Sequence, residues 1–524
     1  MGPGRSTLSD RQALWAFVLG CVAVTAGVLL HLPMFAMAQT MHYQLAGMTM
    51  GGDMIFGMVL IVGGVLLAAW GVLPRGIAAH RAAGDAVAIM APDDATFGAP
   101  QIRLMLVLVI ALIIDTMKPA SLGFTVPGMV SEYGVPKAVV SLVPFFALMG
   151  TVVGSVVWGF LADIYGRKAT ILLSAVMFVG TSICGAMPSL AWNIGMCFMM
   201  GAAAGGMLPV TYALLAEMLP SRHRGWGMVL VGGLGAAGGY FAASGLSALL
   251  QPMFGWRILW LINLPTGLAL ILLGGAIPES AKFLIARGRI AEAEAVMRKF
   301  GGVARRVVRE ANPATPGAVV GEGLAWQTVA LSVTALAWGF VNFGLLLWLP
   351  ADFVARGYSV GVSSKLLAES ALIAFPTVFL AALLYGRWST RGSLLLTIAL
   401  TLIGLGGVLA LELGAIDSPV LPVALLIIGA NGTIATLLPY AAECFPLLIR
   451  GRATGWIAAC TKAGGLLAQV LSIAALTPSL GLAAISIMAP SVFGLILLWL
   501  FGRETLGLDL QDLDGPGHLG EVLA

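Results

Sequence analysis

One apolar stretch of the chain carries two opposite charges and a proline. The segment IIDTMKPASLG, residues 113–123, places Asp115 and Lys118 three residues apart in a run of Leu, Val and Ile. Residues at that spacing share a helix face, and Pro119 removes a backbone hydrogen bond beside them. Burial favours the protonated form of a carboxyl group, whereas a nearby ammonium favours the charged form. The segment is therefore typical of a proton-binding site, although a self-neutralising pair that fixes the helix would have the same pattern.

Two more apolar segments contain a polar side chain. Lys462 lies in ACTKAGGLLAQ, where it could bind a substrate carboxylate as a point charge or serve as counter-ion to Asp115. Asn431 lies in IIGANGTIATLL, where it could bind a solute or join two helices by hydrogen bonds. The residues alone leave these alternatives open.

The composition predicts the elements that hold these side chains. The 524 residues are 59% hydrophobic and 10% charged, which is far from the composition of soluble domains. Apolar runs of about 20 residues, long enough to cross a bilayer as a helix, recur along the chain and predict an all-α polytopic membrane protein with about 14 spans. The predicted spans lie near residues 12–38, 52–72, 102–124, 139–161, 169–187, 191–216, 226–250, 257–276, 327–349, 364–386, 393–411, 419–441, 453–476 and 480–501.

The distribution of basic residues predicts the orientation. Lys and Arg concentrate in cytoplasmic loops, and placing both termini in the cytoplasm leaves only a few basic residues outside, namely Lys137, Arg257, Arg356 and Lys365. The net charge of +4 then reflects topology and gives no reason to expect a nucleic-acid partner. We expect a multi-pass protein of a bacterial inner membrane.

The first predicted span has features of a signal peptide, with an A-x-A-like site at Ala36 and Ala38. Its apolar core is long and a second span follows, so we expect a retained helical hairpin. The Met and His residues between the two spans could bind copper, but their spacing matches no defined site. The five cysteines have no metal-ligand spacing. With no nucleophile constellation or phosphate loop in the sequence, we expect neither an enzyme nor a cofactor.

The chain contains an internal repeat. EMLPSRHRG, with Glu217 and Arg224, and ECFPLLIRG, with Glu443 and Arg450, both read E-x-x-P-x-x-x-R-G and lie 443 − 217 = 226 residues apart. The repeat predicts two related six-span halves with a solute site between them. The predicted segments are a tail, two extra spans and a linker (1–101), a six-helix bundle (102–276), a cytoplasmic amphipathic helix and linker (277–326), a second six-helix bundle (327–502) and a cytoplasmic tail (503–524).

Residues 102–510 resemble the major facilitator superfamily. GFLADIYGRK, from Gly159 to Lys168, is similar to the family's loop signature G-x-L-x-D-R-x-G-R-K. The resemblance implies that the glycines allow a tight turn and that the acid faces a helix N-terminus, while the basic pair meets lipid headgroups and carboxylates. The signature residues are Gly159, Asp163, Gly166, Arg167 and Lys168.

Further motifs narrow the resemblance to the branch of sugar porters, organic-ion transporters and metabolite:proton symporters. They are the repeats above, PESAKFLIARGR at 278–289 and ETLGLDL at 504–510. In the second half the corresponding loop, GRWSTRGS, has Thr390 near the place of the acid, so we expect a weaker gate there. The chain lacks the proline motif of drug:proton antiporters, which favours uptake over export.

The resemblance implies a proton-coupled symporter of a small organic solute that works as a monomer in the bilayer. An organic anion is preferred as the solute, because two deep lysines face one deep aspartate. Asp115 and Lys118 would couple protons, and the substrate residues would be Lys462, Asn342, Phe343 and Asn431. The alternatives are symport of a sugar or another neutral metabolite, export by the same fold, a metal transporter, and a non-transporting receptor or sensor.

Overall fold

The structure is a computed structural model that describes residues 11–73, 97–286, 289–301, 322–445 and 447–507. Fourteen of its helices are long and apolar enough to cross a membrane, which confirms the predicted number of spans. They are α1 (Arg11–Met41), α2 (Gly52–Val72), α3 (Ala99–Tyr133), α4 (Lys137–Ala162), α5 (Arg167–Ala186), α6 (Leu190–Met218), α7 (Arg222–Phe254), α8 (Ile258–Ala276), α9 (Leu324–Ala355), α10 (Val360–Arg387), α11 (Thr390–Glu412), α12 (Val420–Cys444), α13 (Arg452–Ile473) and α14 (Leu480–Phe501).

Two short helices, Ala281–Ala286 and Ile290–Lys299, connect the two halves of the chain. The second buries Ala293 and Met297. Gln101 of α3 donates a hydrogen bond of 2.8 Å to the carbonyl of Phe300, the residue after this helix. The linker predicted to follow the amphipathic helix and both predicted tails fall largely outside the described residues. The segment boundaries given above stay predictions.

The extra hairpin is an antiparallel helix pair held together by glycines. A Cβ atom at Gly20 of α1 would lie 2.6 Å from the Gly64 carbonyl oxygen of α2, and one at Gly27 would lie 2.5 Å from the Gly57 carbonyl oxygen. Such approach is possible only between small residues. The pair also packs on α5, so it is attached to the first half of the protein.

The loop of this hairpin is fixed to the end of α3 by a buried ion pair. Arg257 lies 2.7 Å from Glu132, and the two side chains are 0% and 3% exposed. Glu132 also accepts the backbone N–H groups of Leu45 and Ala46, at 2.7 and 2.9 Å, and the indole N–H of Trp256 at 2.8 Å. One carboxylate therefore joins the hairpin loop, α3 and the start of α8.

The two six-helix halves pack through equivalent helices. Helix α4 contacts α13, and α7 contacts α10 and α12. Hydroxyl pairs join these contacts, with 2.6 Å between Ser141 and Ser472 and 2.7 Å between Ser247 and Ser364. The halves thus meet along polar and small side chains, which suits bundles that move relative to each other.

The interface between the halves is closed at one end. We call the ends of the bundle the Glu132 end and the Arg167 end, after residues at each. Towards the Glu132 end α3 packs on α9, where a Cβ atom at Gly123 would lie 2.8 Å from the Leu347 carbonyl oxygen. At the Arg167 end the halves meet through α7 and α10, where a Cβ atom at Gly386 would lie 2.8 Å from the Trp226 side chain. Access to the middle of the interface is therefore blocked from the Glu132 end.

Candidate transport site

Asp115 lies on α3 at the interface of the two halves. The helix is fixed there because Thr116 donates a hydrogen bond to the Gly235 carbonyl of α7 at 2.7 Å. Asp115 is 6% exposed, its Oδ1 atom has no hydrogen-bond partner, and it interacts electrostatically with Lys462 of α13 in the opposite half. The carboxylate thus faces the other half, away from lipid.

Lys118 points to a different neighbour. It is fully buried, donates hydrogen bonds to the Phe178 carbonyl and the Thr181 hydroxyl at 2.9 and 2.5 Å, and lies 3.8 Å from the Phe178 ring centroid. In the described part of the chain no direct ion pair joins it to Asp115, although the two interact electrostatically. The self-neutralising pair is therefore not what the structure shows, because the lysine fixes α3 to α5.

Lys462 and Phe343 form a cation–aromatic contact in the second half. The ammonium lies 4.7 Å from the centroid of the Phe343 ring, which is within the range of cation–π attraction. Phe343 belongs to a π-helical turn, Val341–Leu345, inside α9. Such turns are frequent at functional sites. The turn places Phe343 in a buried position and leaves Asn342 partly exposed.

Asn431 contributes an unused hydrogen-bond donor. Its side chain on α12 is 6% exposed and its Nδ2 atom has no partner, so that amide group does not join two helices as the alternative required. The neighbouring carbonyl of Ala430 accepts the indole N–H of Trp338 at 2.7 Å. Trp338 is thus part of the core, while the amide remains available for a ligand.

These side chains offer complementary chemistry. An ammonium group and an aromatic face lie together, with a carboxyl group near the ammonium and an amide donor on an adjacent helix. A lysine binds a carboxylate as a point charge, and an aromatic ring packs on a planar apolar body. A carboxyl group in such a place can exchange a proton as its contact with water changes.

The signature loop of the first half is organised by Glu279. Its Oε1 atom accepts the backbone N–H of Arg167 at 2.9 Å and thereby caps the N-terminus of α5. Arg167 also lies 3.6 Å from Glu217, which accepts the Ser280 hydroxyl. Burial raises the pKa of Glu279, and hydrogen bonds from Ser280, Lys168 and Arg167 oppose that rise. The capping acid here is Glu279, and the side chain of Asp163 lies outside the described residues.

The two signature glycines have different environments. Gly166 has φ of +100°, and a Cβ atom there would lie 2.5 Å from Glu279. Gly159 lies inside α4 with open space around its Cα. The chain therefore turns at Gly166, whereas the helix continues through Gly159.

The second half repeats this arrangement with Glu504. That carboxylate accepts the backbone N–H and hydroxyl of Thr390 at 2.9 and 2.6 Å. Burial alone would raise the pKa of Glu504, but hydrogen bonds from Ser389 and Thr390 lower it to about 2. The carboxylate missing from the loop is thus supplied by the segment after α14. Whether this gate is weaker stays a prediction.

Glu443 occupies the place of Glu217 and contacts a tyrosine where Glu217 contacts an arginine. It accepts hydrogen bonds from Tyr385 and Thr505 at 2.7 and 2.8 Å and interacts electrostatically with Arg224 of the first half. The side chain of Arg450 lies outside the described residues. Among the described side chains, the repeated motif therefore contributes the charge interaction between Arg224 and Glu443.

The sequence held a signal for the capping acids. Glu279 in PES and Glu504 in RET are 504 − 279 = 225 residues apart, almost the offset of the repeat. Each is followed by a hydroxyl residue that contacts Glu217 or Glu443. Aligning the halves on that offset would have paired the two acids.

The Met and His residues of the hairpin differ in their exposure. Met34 and Met54 are buried, whereas Met37 and Met41 are exposed. The Nδ1 atom of His31 lies 2.7 Å from the Gly27 carbonyl oxygen of its own helix. Among the residues that the structure describes, no group of three His, Cys, Asp or Glu side chains could hold a metal. The copper alternative gains no support from this geometry.

Comparison with known proteins identifies the family. A family model of the Major Facilitator Superfamily matches residues 104–469. The chain belongs to the major facilitator superfamily. It is therefore a multi-pass membrane transporter of small solutes and no enzyme, as predicted.

Relatives and solved structures agree with that assignment. The chain is 26% identical to the niacin transporter NiaP of Acinetobacter baylyi, over 76% of this chain and 93% of the relative. It is 33% identical to the 4-hydroxybenzoate transporter PcaK of Pseudomonas putida, over 40% of this chain and 47% of that relative. The xylose transporter XylE of E. coli, in a partially occluded inward open conformation, superposes with a TM-score of 0.63 at 16% identity, covering 79% of this chain and all of that one. The predicted fold, two six-helix bundles with an extra hairpin, is confirmed.

The Gly166 turn gives a first testable prediction. Gly166→Ala should lower the stability of the detergent-purified protein by about 1–3 kcal/mol, because a side chain is strained at this φ and would meet Glu279. Gly159→Ala is the matched control, and it should leave the melting temperature unchanged or slightly raised. Equal melting temperatures for the two variants would contradict this role of Gly166.

Proposed function

We propose that this protein is a proton-coupled symporter that takes up a small organic anion, specifically an aromatic carboxylate. The observation that carries the proposal is the position of Asp115 on one half, in electrostatic contact with Lys462 on the other, with Phe343 beside the lysine. A carboxylate bound at Lys462 would neutralise the ammonium, while its ring would pack near Phe343.

Charge balance couples the proton to the anion. Two lysines, Lys118 and Lys462, act electrostatically on Asp115. With Asp115 charged the three side chains carry a net charge of about +1, and protonation of Asp115 raises it to about +2, which favours an incoming anion. Release of the proton restores the contact between Asp115 and Lys462 and displaces the anion. The anion therefore binds when Asp115 is protonated and leaves when Asp115 is charged, so proton and anion move together, as a symporter requires.

Alternating access follows from how the halves pack. The α3–α9 contact closes the Glu132 end, and the halves rock about the α4–α13 and α7–α10 contacts. By the distribution of basic residues, the Arg167 end faces the cytoplasm with both termini. The protein then works as a monomer in the inner membrane.

The substrate class is supported by the relatives. Their names specify niacin, 4-hydroxybenzoate and gallate, all aromatic carboxylates. The similarity to XylE supports the fold alone. A neutral substrate such as a sugar would leave Lys462 without a charge partner when Asp115 is protonated.

Lys462→Gln tests the proposed site. Loss of a charge-assisted contact, about 1.5–3 kcal/mol, should raise KM for nicotinate about tenfold or more in whole-cell uptake. Lys365→Gln, an exposed lysine paired with Glu369 at 3.9 Å, is the control and should leave KM unchanged. An equal loss for the neutral analogue nicotinamide would show that Lys462 does not recognise the carboxylate.

A further inference from the structure

Two hydrogen bonds between serine side chains join the halves, and the internal repeat relates one to the other. Ser141 on α4, the second helix of the first half, pairs with Ser472 on α13, the fifth helix of the second half, at 2.6 Å. Ser247 on α7, the fifth helix of the first half, pairs with Ser364 on α10, the second helix of the second half, at 2.7 Å. Equivalent serines are 364 − 141 = 223 and 472 − 247 = 225 residues apart. These separations are close to the offset of the repeat, so the same contact occurs twice across the interface.

Both serine pairs lie at the Glu132 end of the bundle. Each of the four serines is within about two turns of the point where its helix begins or ends at that side. All four are at most 3% exposed. The end of the interface that the α3–α9 contact closes is therefore also closed by buried hydroxyl groups that face each other across the halves.

Gln251 connects the second pair to α3. Its amide donates hydrogen bonds to the Ser247 hydroxyl at 2.7 Å and to the Phe124 carbonyl of α3 at 3.0 Å. Helix α3 carries Asp115 and packs on α9. A chain of buried hydrogen bonds thus runs from Ser364 in the second half to the helix that closes this end.

The chemistry of these contacts suits a closure that is reversible. A hydrogen bond between neutral groups adds little net stability, since water replaces either partner once it becomes exposed. A buried ion pair is far more costly to break. The buried ion pair at this end, between Arg257 and Glu132, joins parts of the first half only. Neutral hydroxyls are thus placed where the halves separate, and the strong charge pair is placed where they do not.

We propose that the two serine pairs form a double latch, which keeps the Glu132 end closed, and that both pairs must separate before this end opens. The helix pairs that carry the latch are those about which the halves rock. Opening at the Glu132 end pulls their outer ends apart and exposes the hydroxyls to water. The double latch concerns the movement of the halves and holds for any solute that passes between them.

Disulfides in place of the hydrogen bonds test whether both pairs must separate. The background is a variant whose five cysteines are replaced by alanine and that retains nicotinate uptake. Cysteine is introduced at Ser141 and Ser472, or at Ser247 and Ser364, where the close approach of the side chains suits a disulfide. Oxidation of either pair with copper phenanthroline should lower uptake about tenfold or more, because one closed contact is enough to stop alternating access. A reducing agent should restore uptake.

The matched control is a hydroxyl pair inside one half. Thr433 donates to Thr397 at 3.3 Å, and both lie in the second half. Thr397→Cys with Thr433→Cys should keep its uptake after oxidation, because these helices move together. Uptake that persists in either cross-linked serine pair would overturn the double latch, and so would failure of either pair to cross-link.

A readout that needs no substrate keeps the double latch testable if nicotinate is not carried. Asn342→Cys in the same background places a thiol in the π-helical turn, behind the closed end. A membrane-impermeant thiol reagent is added on the side that the Glu132 end faces. Ser141 donates to the Lys137 carbonyl at 2.9 Å, so Ser472 is the donor in their pair, because a hydroxyl has one hydrogen.

Ser141→Ala leaves the Ser472 hydroxyl buried without its acceptor in the closed state. Labelling of Asn342→Cys should therefore become about three- to tenfold faster. Adding Ser472→Ala removes both hydroxyls and should return the rate to within about twofold of the parent. Equal rates for Ser141→Ala and the parent would overturn the double latch, as would a double variant that reacts faster than the single one.

Discussion

Cells that carry Asp115→Asn should fail to accumulate an aromatic carboxylate above its external concentration. Asparagine keeps the size of the side chain but cannot take up a proton, so the proton gradient no longer drives uptake. Each 1.4 kcal/mol of driving force corresponds to a tenfold concentration ratio, and the variant should reach a ratio of about 1. Asp115 is 6% exposed and faces Lys462, so exchange of labelled for unlabelled anion should persist.

The comparison needs an acid that does not lie at the interface. Asp53, in the first turn of α2, is exposed, and Asp53→Asn should accumulate substrate like the parent. Accumulation by Asp115→Asn at the level of the parent would show that another group carries the proton. Loss of exchange together with accumulation would instead mean that Asp115 is needed for binding.

The second large effect is expected at the ion pair that anchors the hairpin loop. Glu132→Gln should destabilise the protein by about 3–5 kcal/mol, because it leaves Arg257 buried without its counter-charge. Arg257 is 0% exposed, and its other partners are neutral, namely the Met187 carbonyl at 2.7 Å and the Tyr133 hydroxyl at 2.9 Å. The measurement is the melting temperature of the detergent-purified protein.

Two further variants make this result specific. Glu369→Gln breaks an exposed ion pair, which is worth at most about 1 kcal/mol, and should barely change the melting temperature. The double variant Glu132→Gln with Arg257→Gln removes both charges and should recover part of the loss. If the Glu132→Gln variant has the melting temperature of the parent, the ion pair does not hold the hairpin loop and α3 together.

Composition and periodicity were sufficient for the spans, because helices in a bilayer must satisfy their own backbone hydrogen bonds. They were not sufficient for the side-chain contacts. The spacing of Asp115 and Lys118 predicted one helix face, but the long lysine reaches Phe178 and Thr181 on α5. Which neighbour a flexible side chain reaches depends on how helices pack, and the local sequence does not encode that.

Two other features show the same limit. The sequence analysis placed Arg257 among a few basic residues on the outer side. The residues around Arg257 gave no indication that its partner is Glu132, which is far away in the chain. The π-helical turn at Val341–Leu345 contains one residue more than an α-helical turn. The spacing of apolar residues in the sequence does not predict such a turn. By contrast, the pairing of Glu279 with Glu504 was available from the repeat, because two related halves place equivalent residues in equivalent positions.

Proton movement during substrate entry tests the account most directly. Nicotinate is added to de-energised liposomes that contain the protein and a pH-sensitive dye, and protein-free liposomes correct for passive entry of the acid. We predict acidification of the lumen with the parent and none with Asp115→Asn. Entry of labelled nicotinate through the parent with no change in internal pH would contradict proton coupling at Asp115.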